Sequence, residues 1–331
     1  MKTRFNLAFV LIVSTGFSAG AQLIFPDATV QSTAGITFDR VKVIHSDGSD
    51  TANGTALRNA LVAQASSQTA DVLLLEPGSY NIGSSALNMV DFVNIQGFGD
   101  GITFVSGSGS VVINGASFME IGDVSILGSG NASTVILQNG GYMELVDTTV
   151  QHNGNGTGAN FGVRVINGGS LELIDSEIVF FLSGNSGSLV GLQIVGKSGG
   201  GTFSEANMSN SFIEIEDFSG TMTLTALVVG DGGTTPAMDE SVSIEIFGGT
   251  IAAGGGSSST ALSVGDDADL FMVGVCIETD DVALTNAGSC EAINTLFEGT
   301  RGGGGTTVYS RCTTFTVSGP TPIIDSLTAV P

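Results

Sequence analysis

The sequence predicts an all-β solenoid, a parallel β-helix with a short capping helix at its N-terminal end, from three observations. The first is a recurring bend residue. Gly97, Asp123, Asp147, Asp175, Asn210, Gly248, Gly274 and Asn294 follow one another at intervals of 26, 24, 28, 35, 38, 26 and 20 residues. All are Gly, Asn or Asp, the types that enter the left-handed region at least cost, and self-similarity at 20 to 50 residues marks stacked repeats. The second is alternation around those bends. Met143-Glu-Leu-Val-Asp147-Thr-Thr-Val150 and Leu171-Glu-Leu-Ile-Asp175-Ser-Glu-Ile178 share one apolar/polar pattern, the period of a half-buried strand. The third is composition: 49 of 331 residues are Gly and only 12% are charged, which suits short strands joined by many turns.

The elements follow in order. Residues 1–21 open with Met1-Lys-Thr-Arg4, continue through an apolar run from Leu7 to Val13 and end Ala19-Gly-Ala21. This is the pattern of a secretory signal cleaved before Gln22. A membrane anchor needs about 20 apolar residues, so no transmembrane segment is expected. Residues 22–40 stand apart from the repeats. The polar stretch Asp47–Thr55 precedes Ala56–Ala65, where Leu57, Leu61 and Val62 form one apolar face. This predicts a helix over about 55–65, capped by Asn53 or Thr55, that seals the open end of the stack. The solenoid spans 41–318, and 319–331 is a Pro-rich tail.

Each regular coil reads as three strands. Val163–Ile166 ends at the turn Asn167-Gly-Gly169, and Leu171–Ile174 reaches the bend at Asp175. Glu177–Phe180 then leads into a Gly/Ser loop, and Leu192–Val195 restarts the cycle. Three short strands per coil with an N-terminal helix resemble the pectin lyase-like right-handed parallel β-helix superfamily. The opening coils, Val72-Leu-Leu-Leu-Glu-Pro-Gly-Ser-Tyr80 and Val93–Phe104, resemble its pectinesterase-type start. Separately, Phe25-Pro-Asp-Ala-Thr-Val-Gln-Ser-Thr-Ala34 is similar to a Phe-Pro-Asp-Gly-Thr motif of phage tail fibres and bacterial surface proteins, with Ala28 in place of Gly.

The superfamily resemblance implies a polysaccharide lying along the outer face of the first strands. There the expected outward column is Val112, Ile136, Arg164, Gln193, Val228, Ser263, Thr285 and Tyr309. It holds no carboxylate, whereas glycoside hydrolysis needs a pair about 5 to 9.5 Å apart. Only Asp231 and Asp266 approach it, at strand ends. Arg164, Gln193 and Tyr309 are its candidate binding residues. Val112, Ile136 and Val228 leave self-association open.

The second strands carry Asn94, Glu120, Glu144, Glu172, Asn207, Glu245, Phe271 and Glu291, each three residues before a bend. Carboxylates stacked about 4.8 Å apart repel unless protons or cations intervene. Three readings stand side by side: Ca²⁺ sites at Glu120, Glu144 and Glu172, a catalytic pair Glu144/Glu172, and a solvated acidic face. Asp123, Asp147 and Asp175 raise the same question of repulsion at the bends, which the superfamily fills with an asparagine ladder.

With only His45 and His152, neither a zinc site nor a Ser-His-Asp set is arguable. The acidic stretches Gly265–Asp269 and Glu278–Asp281 lack EF-hand spacing. The chain has no Trp and three Tyr, too few for a broad sugar-stacking platform. Cys276, Cys290 and Cys312 allow one disulfide in the last coils, with Cys290–Cys312 one coil apart as one of three pairings. A net charge of −23 argues against nucleic acid. The expected function is an exported, non-catalytic structural or binding module whose partner is a polysaccharide or cell-surface component. The alternative is a polysaccharide-degrading lyase, esterase or hydrolase.

Overall fold

A computed structural model describes residues 23–24, 30–31, 40–67, 71–129, 134–153, 157–182, 186–196, 203–230, 242–266 and 268–315. The expected signal (1–21), most of the fibre-like segment, Asp231, Asp267 and the tail lie outside these. The chain divides into two units, 1–38 and 39–331. In the first, Leu23–Ile24 pairs antiparallel with Val30–Gln31.

The second unit is a right-handed parallel β-helix. First and second strands of each coil belong to one 18-stranded sheet, and third strands form a 10-stranded sheet facing it. In two coils the Gly turn does not break the strand. Thr134–Val146 and Thr157–Ile174 each run through it, with Gly140 and Gly141 at φ 73° and 70° and Asn167 at φ 55°.

Alternation delivers three columns of inward side chains, one per strand position. Leu87 begins the first, which passes through Ile113, Ile136, Val163, Leu192 and Leu284 to Arg301. Another runs from Leu73 through Ile95, Ile121, Leu145 and Leu173 to Ala292 and Tyr309. On the opposing sheet Tyr80, Val105, Ile126, Val150 and Ile178 lead to Ile277 and Phe297. At about 25 cal/mol per Å² of apolar surface removed from water, this continuous core is the main stabilising force.

Both ends are closed. The helix α1 spans Asp50–Ser67, longer than expected, because Ser49 Oγ caps it by accepting from Ala52 N–H at 3.3 Å. The Asn53 side chain is busy elsewhere, accepting from Gly48 N–H and donating to Ser79 O, both at 3.0 Å. Asn53, Leu57, Ala60, Leu61 and Gln64 face inward, while Val62 is 65% exposed and leaves the predicted face. Gly54 permits the approach: a Cβ there would lie 2.0 Å from Asn81 O. Arg58 then latches the helix to the first coil, donating to Ala86 O, Ile82 O and Ser85 O at 2.6–2.7 Å. At the other end Arg301 lies 4.8 Å from the Tyr309 ring and 5.8 Å from the Phe297 ring. Thus residues of the three columns in the last coils pack on one another.

The bends form the expected ladder with two changes. Asp123, Asp147, Asp175, Asn210, Gly248, Gly274 and Asn294 lie at φ 46–73°, and Arg311 extends the series at φ 56°. Gly97 does not adopt the left-handed conformation. It is small for another reason, since a Cβ would meet Asp123 O at 2.2 Å. Asn210 Nδ2 donates to Asp175 Oδ1 at 3.0 Å, and Gln96 Nε2 donates to Asp123. Burial, then the charge of Asp147, holds the Asp123 carboxyl above the usual range.

Just inside the bends runs a hydroxyl column absent from the sequence reading. Thr148, Ser176 and Ser211 are buried. Ser176 Oγ donates to backbone carbonyls of Leu145 or Ile174 and accepts from Thr148 N–H at 3.1 Å. Ser211 Oγ accepts from Ser176 N–H at 3.2 Å. These hydroxyls satisfy backbone donors that the bend takes out of the sheet ladder.

Candidate functional site

Outward side chains of the first strands line up in register as Asn114, Leu137, Arg164, Gln193, Val228, Ser263, Thr285 and Gly302. Three members of the expected column are corrected. Val112 and Ile136 are fully buried, because Val112–Ile113 and Val135–Ile136 each send two successive side chains inward and break the alternation. Tyr309 is a second-strand residue opposite Ala292, facing the core end. It therefore does not join Arg164 and Gln193. Val228 is in the column but only 7% exposed, so the apolar stripe considered for self-association is not there.

Arg164 and Gln193 are direct register partners, about 4.8 Å apart along the stack. Arg164 is half-buried, and its guanidinium sits 4.8 Å from the Phe161 ring. Its Nε and the Gln193 Oε1 are both buried with no hydrogen-bond partner. Burial without a counter-charge holds the Arg164 pKa below its usual value. A second outward column, Phe161, Val190, Thr225, Thr260, Val282 and Thr300, flanks them. Neither column contains Asp or Glu. The face is neutral and hydroxyl-rich around one cation, and two polar atoms in it lack the partners that burial demands.

The second-strand ladder is in register as expected: Glu120, Glu144, Glu172, Asn207, Glu245, Phe271 and Glu291. Neighbours manage its repulsion. Tyr142, one coil below Ser170, places its hydroxyl 2.6 Å from Glu172 Oε2 and 3.4 Å from Glu144 Oε2. Asn94 Oδ1 accepts from Glu120 N–H at 3.0 Å. Burial and the two carboxylates push the Tyr142 pKa up, so the hydroxyl keeps its proton. Among the described residues no three His, Cys, Asp or Glu side chains converge into a set able to hold a metal ion. The column is a line of carboxylates.

A third acidic feature was legible only in part. A trough of about 240 Å³ on the third strands is lined by Glu214, Glu216, Glu278, Asp280 and Glu298 over Ala252 and Gly254. The sequence singled out Glu278–Asp281, but the register that brings Glu214 and Glu216 beside it was missed. Elsewhere, His45 Nδ1 lies 3.0 Å from Glu76 Oε1, and His152 is buried with its ring 6.0 Å from Phe180. All three cysteines are free thiols. The Cys290–Cys312 staple is not formed, because Cys290 stacks on Thr307 and Cys312 Sγ turns to Ala292 O at 3.2 Å.

No family model matches the chain, and no curated protein does. Solved structures do match. ORF18 of Geobacillus virus E2 is 11% identical with a TM-score of 0.40, over 83% of this chain and 60% of that one. The surface adhesin PfbA of Streptococcus pneumoniae is 10% identical with a TM-score of 0.30, over 84% and 93%. The A-module of the Azotobacter vinelandii mannuronan C-5 epimerase AlgE4 is 11% identical with a TM-score of 0.26, over 85% and 96%. This chain thus spans about 60% of the length of the virus protein. No helix among the described residues is long and apolar enough to cross a membrane.

Proposed function

We propose that this chain is an exported, non-catalytic β-helix that binds a glycan of the cell surface or surroundings along the outer face of its first strands. The observation that carries the reading is the pair Arg164 and Gln193. A donor and an acceptor, adjacent and buried, lack partners among the described residues. Leaving such groups unsatisfied costs about 1–3 kcal/mol each, a cost that is removed when the two side chains swing outward to a ligand hydroxyl or carboxylate. Phe161 adds a ring face beside the cation, and Ser263, Thr260 and Thr285 continue a line of hydroxyls. The neutral columns supply no acid–base pair for cleaving the bound chain.

Calorimetric titration of the full chain with neutral and uronate-containing oligosaccharides tests this. A member of the panel binds, Arg164→Ala and Gln193→Ala each weaken it about tenfold or more, and no shorter products accumulate. Chain cleavage at an unimpaired rate in both variants, or no binding by any oligosaccharide, refutes the reading.

A further inference from the structure

Phe92 and Phe118 are 64% and 52% exposed. Their rings stack with centroids 5.3 Å apart and planes 10° from parallel. Phe92 is held there at φ 62°, a conformation in which bulky residues are outliers, with its N–H donated to Phe118 O at 2.7 Å. Tyr142 continues the column in register above Phe118. Two residues further along these strands run the carboxylates Glu120 and Glu144, with Glu172 next in line. Among the described residues no cation pairs with Glu144 or Glu172. The outer surfaces of this stacked aromatic column and the carboxylates therefore lie side by side across neighbouring coils.

We infer that this strip docks an arginine-rich segment of a partner protein. Ring faces carry negative potential, so a cation is attracted to them. A guanidinium is the cation that stacks flat on a ring and donates to a carboxylate with the same planar group. Column spacing of about 4.8 Å along the stack offers successive rings and carboxylates to an extended chain. A second copy is the wrong occupant, since this chain carries a net charge of −23. The inference does not depend on the glycan reading.

Anisotropy titrations of a labelled nona-arginine peptide with the full chain test it. General attraction to an acidic protein is removed by matched controls. Phe92→Ala/Phe118→Ala leaves the charge unchanged and is compared with Phe181→Ala/Phe218→Ala, the exposed Phe pair of the other sheet. Glu144→Gln/Glu172→Gln is compared with Glu214→Gln/Glu216→Gln. The strip variants weaken binding about tenfold and the controls less than twofold. Phe92→Leu/Phe118→Leu, which keeps the apolar contact but removes the ring faces, gives the same loss where the alanine pair disturbs folding. Equal losses in strip and control variants overturn the proposal. So does a neutral oligosaccharide whose binding, in place of the peptide's, depends on Phe92 and Phe118.

Discussion

At the scale of single residues, the bends show why one position in each coil is so restricted. Seven of the eight residues picked from the sequence adopt positive φ, because side-chain identity reports that conformation directly. Gly97 did not, since a glycine kept for a close approach is indistinguishable in sequence from one kept for its backbone freedom. Arg311 escaped notice because its type gives no hint of the left-handed region. Charge at the bends has a measurable consequence. The Asp123 carboxyl is raised above its usual value of 3.8, so the native chain holds this proton more tightly than the unfolded one. Its ionisation therefore costs stability as pH rises through that window, and nothing below it. Asp123→Asn is expected to stabilise the chain at pH 7 by about 1 kcal/mol, one net hydrogen bond, with no gain at pH 3. Denaturant titrations at both values check the sign. Inside the bend, Ser176→Ala strips the Thr148 N–H of its acceptor and is expected to cost about 1–3 kcal/mol in the same assay.

At the scale of elements, the two ends of the stack are held by arginines that sequence reading passed over. Arg58 was hidden by its neighbours: it lies on the flank of an apolar helix face, and its three carbonyl acceptors belong to residues 24–28 positions away. Arg58→Met keeps helix propensity and stem length but removes the donors, so hydrogen exchange is expected to speed up across 50–67 while the central coils keep their protection. Tyr309 was assigned outward because the first strand of the last coil, Thr300–Gly302, is only three residues long and lacks an alternating apolar pattern. Arg301→Gln removes the cation above Phe297 and Tyr309 and is expected to lower stability by about 1 kcal/mol, read by the same denaturant titration. The first-strand face was misread where two successive residues turn inward, since alternation is the only register signal available there.

For the whole molecule, the repeat, the three-strand coil and the acidic second-strand column were legible, as each is carried by local alternation and a bend. What the column does was not, because its management depends on Tyr142, an ordinary aromatic two residues before Glu144. With its hydroxyl between Glu144 and Glu172, Tyr142 gives two carboxylates of the ladder a shared proton donor. Millimolar Ca²⁺ is therefore expected to shift the unfolding midpoint no more than Mg²⁺ does, and Tyr142→Phe to lower it. The proposed glycan-binding face rests on register as well, since only the pairing of strands 29 residues apart sets Arg164 beside Gln193. Hydrogen exchange of the full chain, with and without the tightest-binding oligosaccharide of the panel, tests that placement most directly. The account predicts slowed exchange in the first strands around 161–166, 190–195 and 225–229, abolished in Arg164→Ala. Slowing confined to the third strands, or unchanged by that substitution, would contradict it.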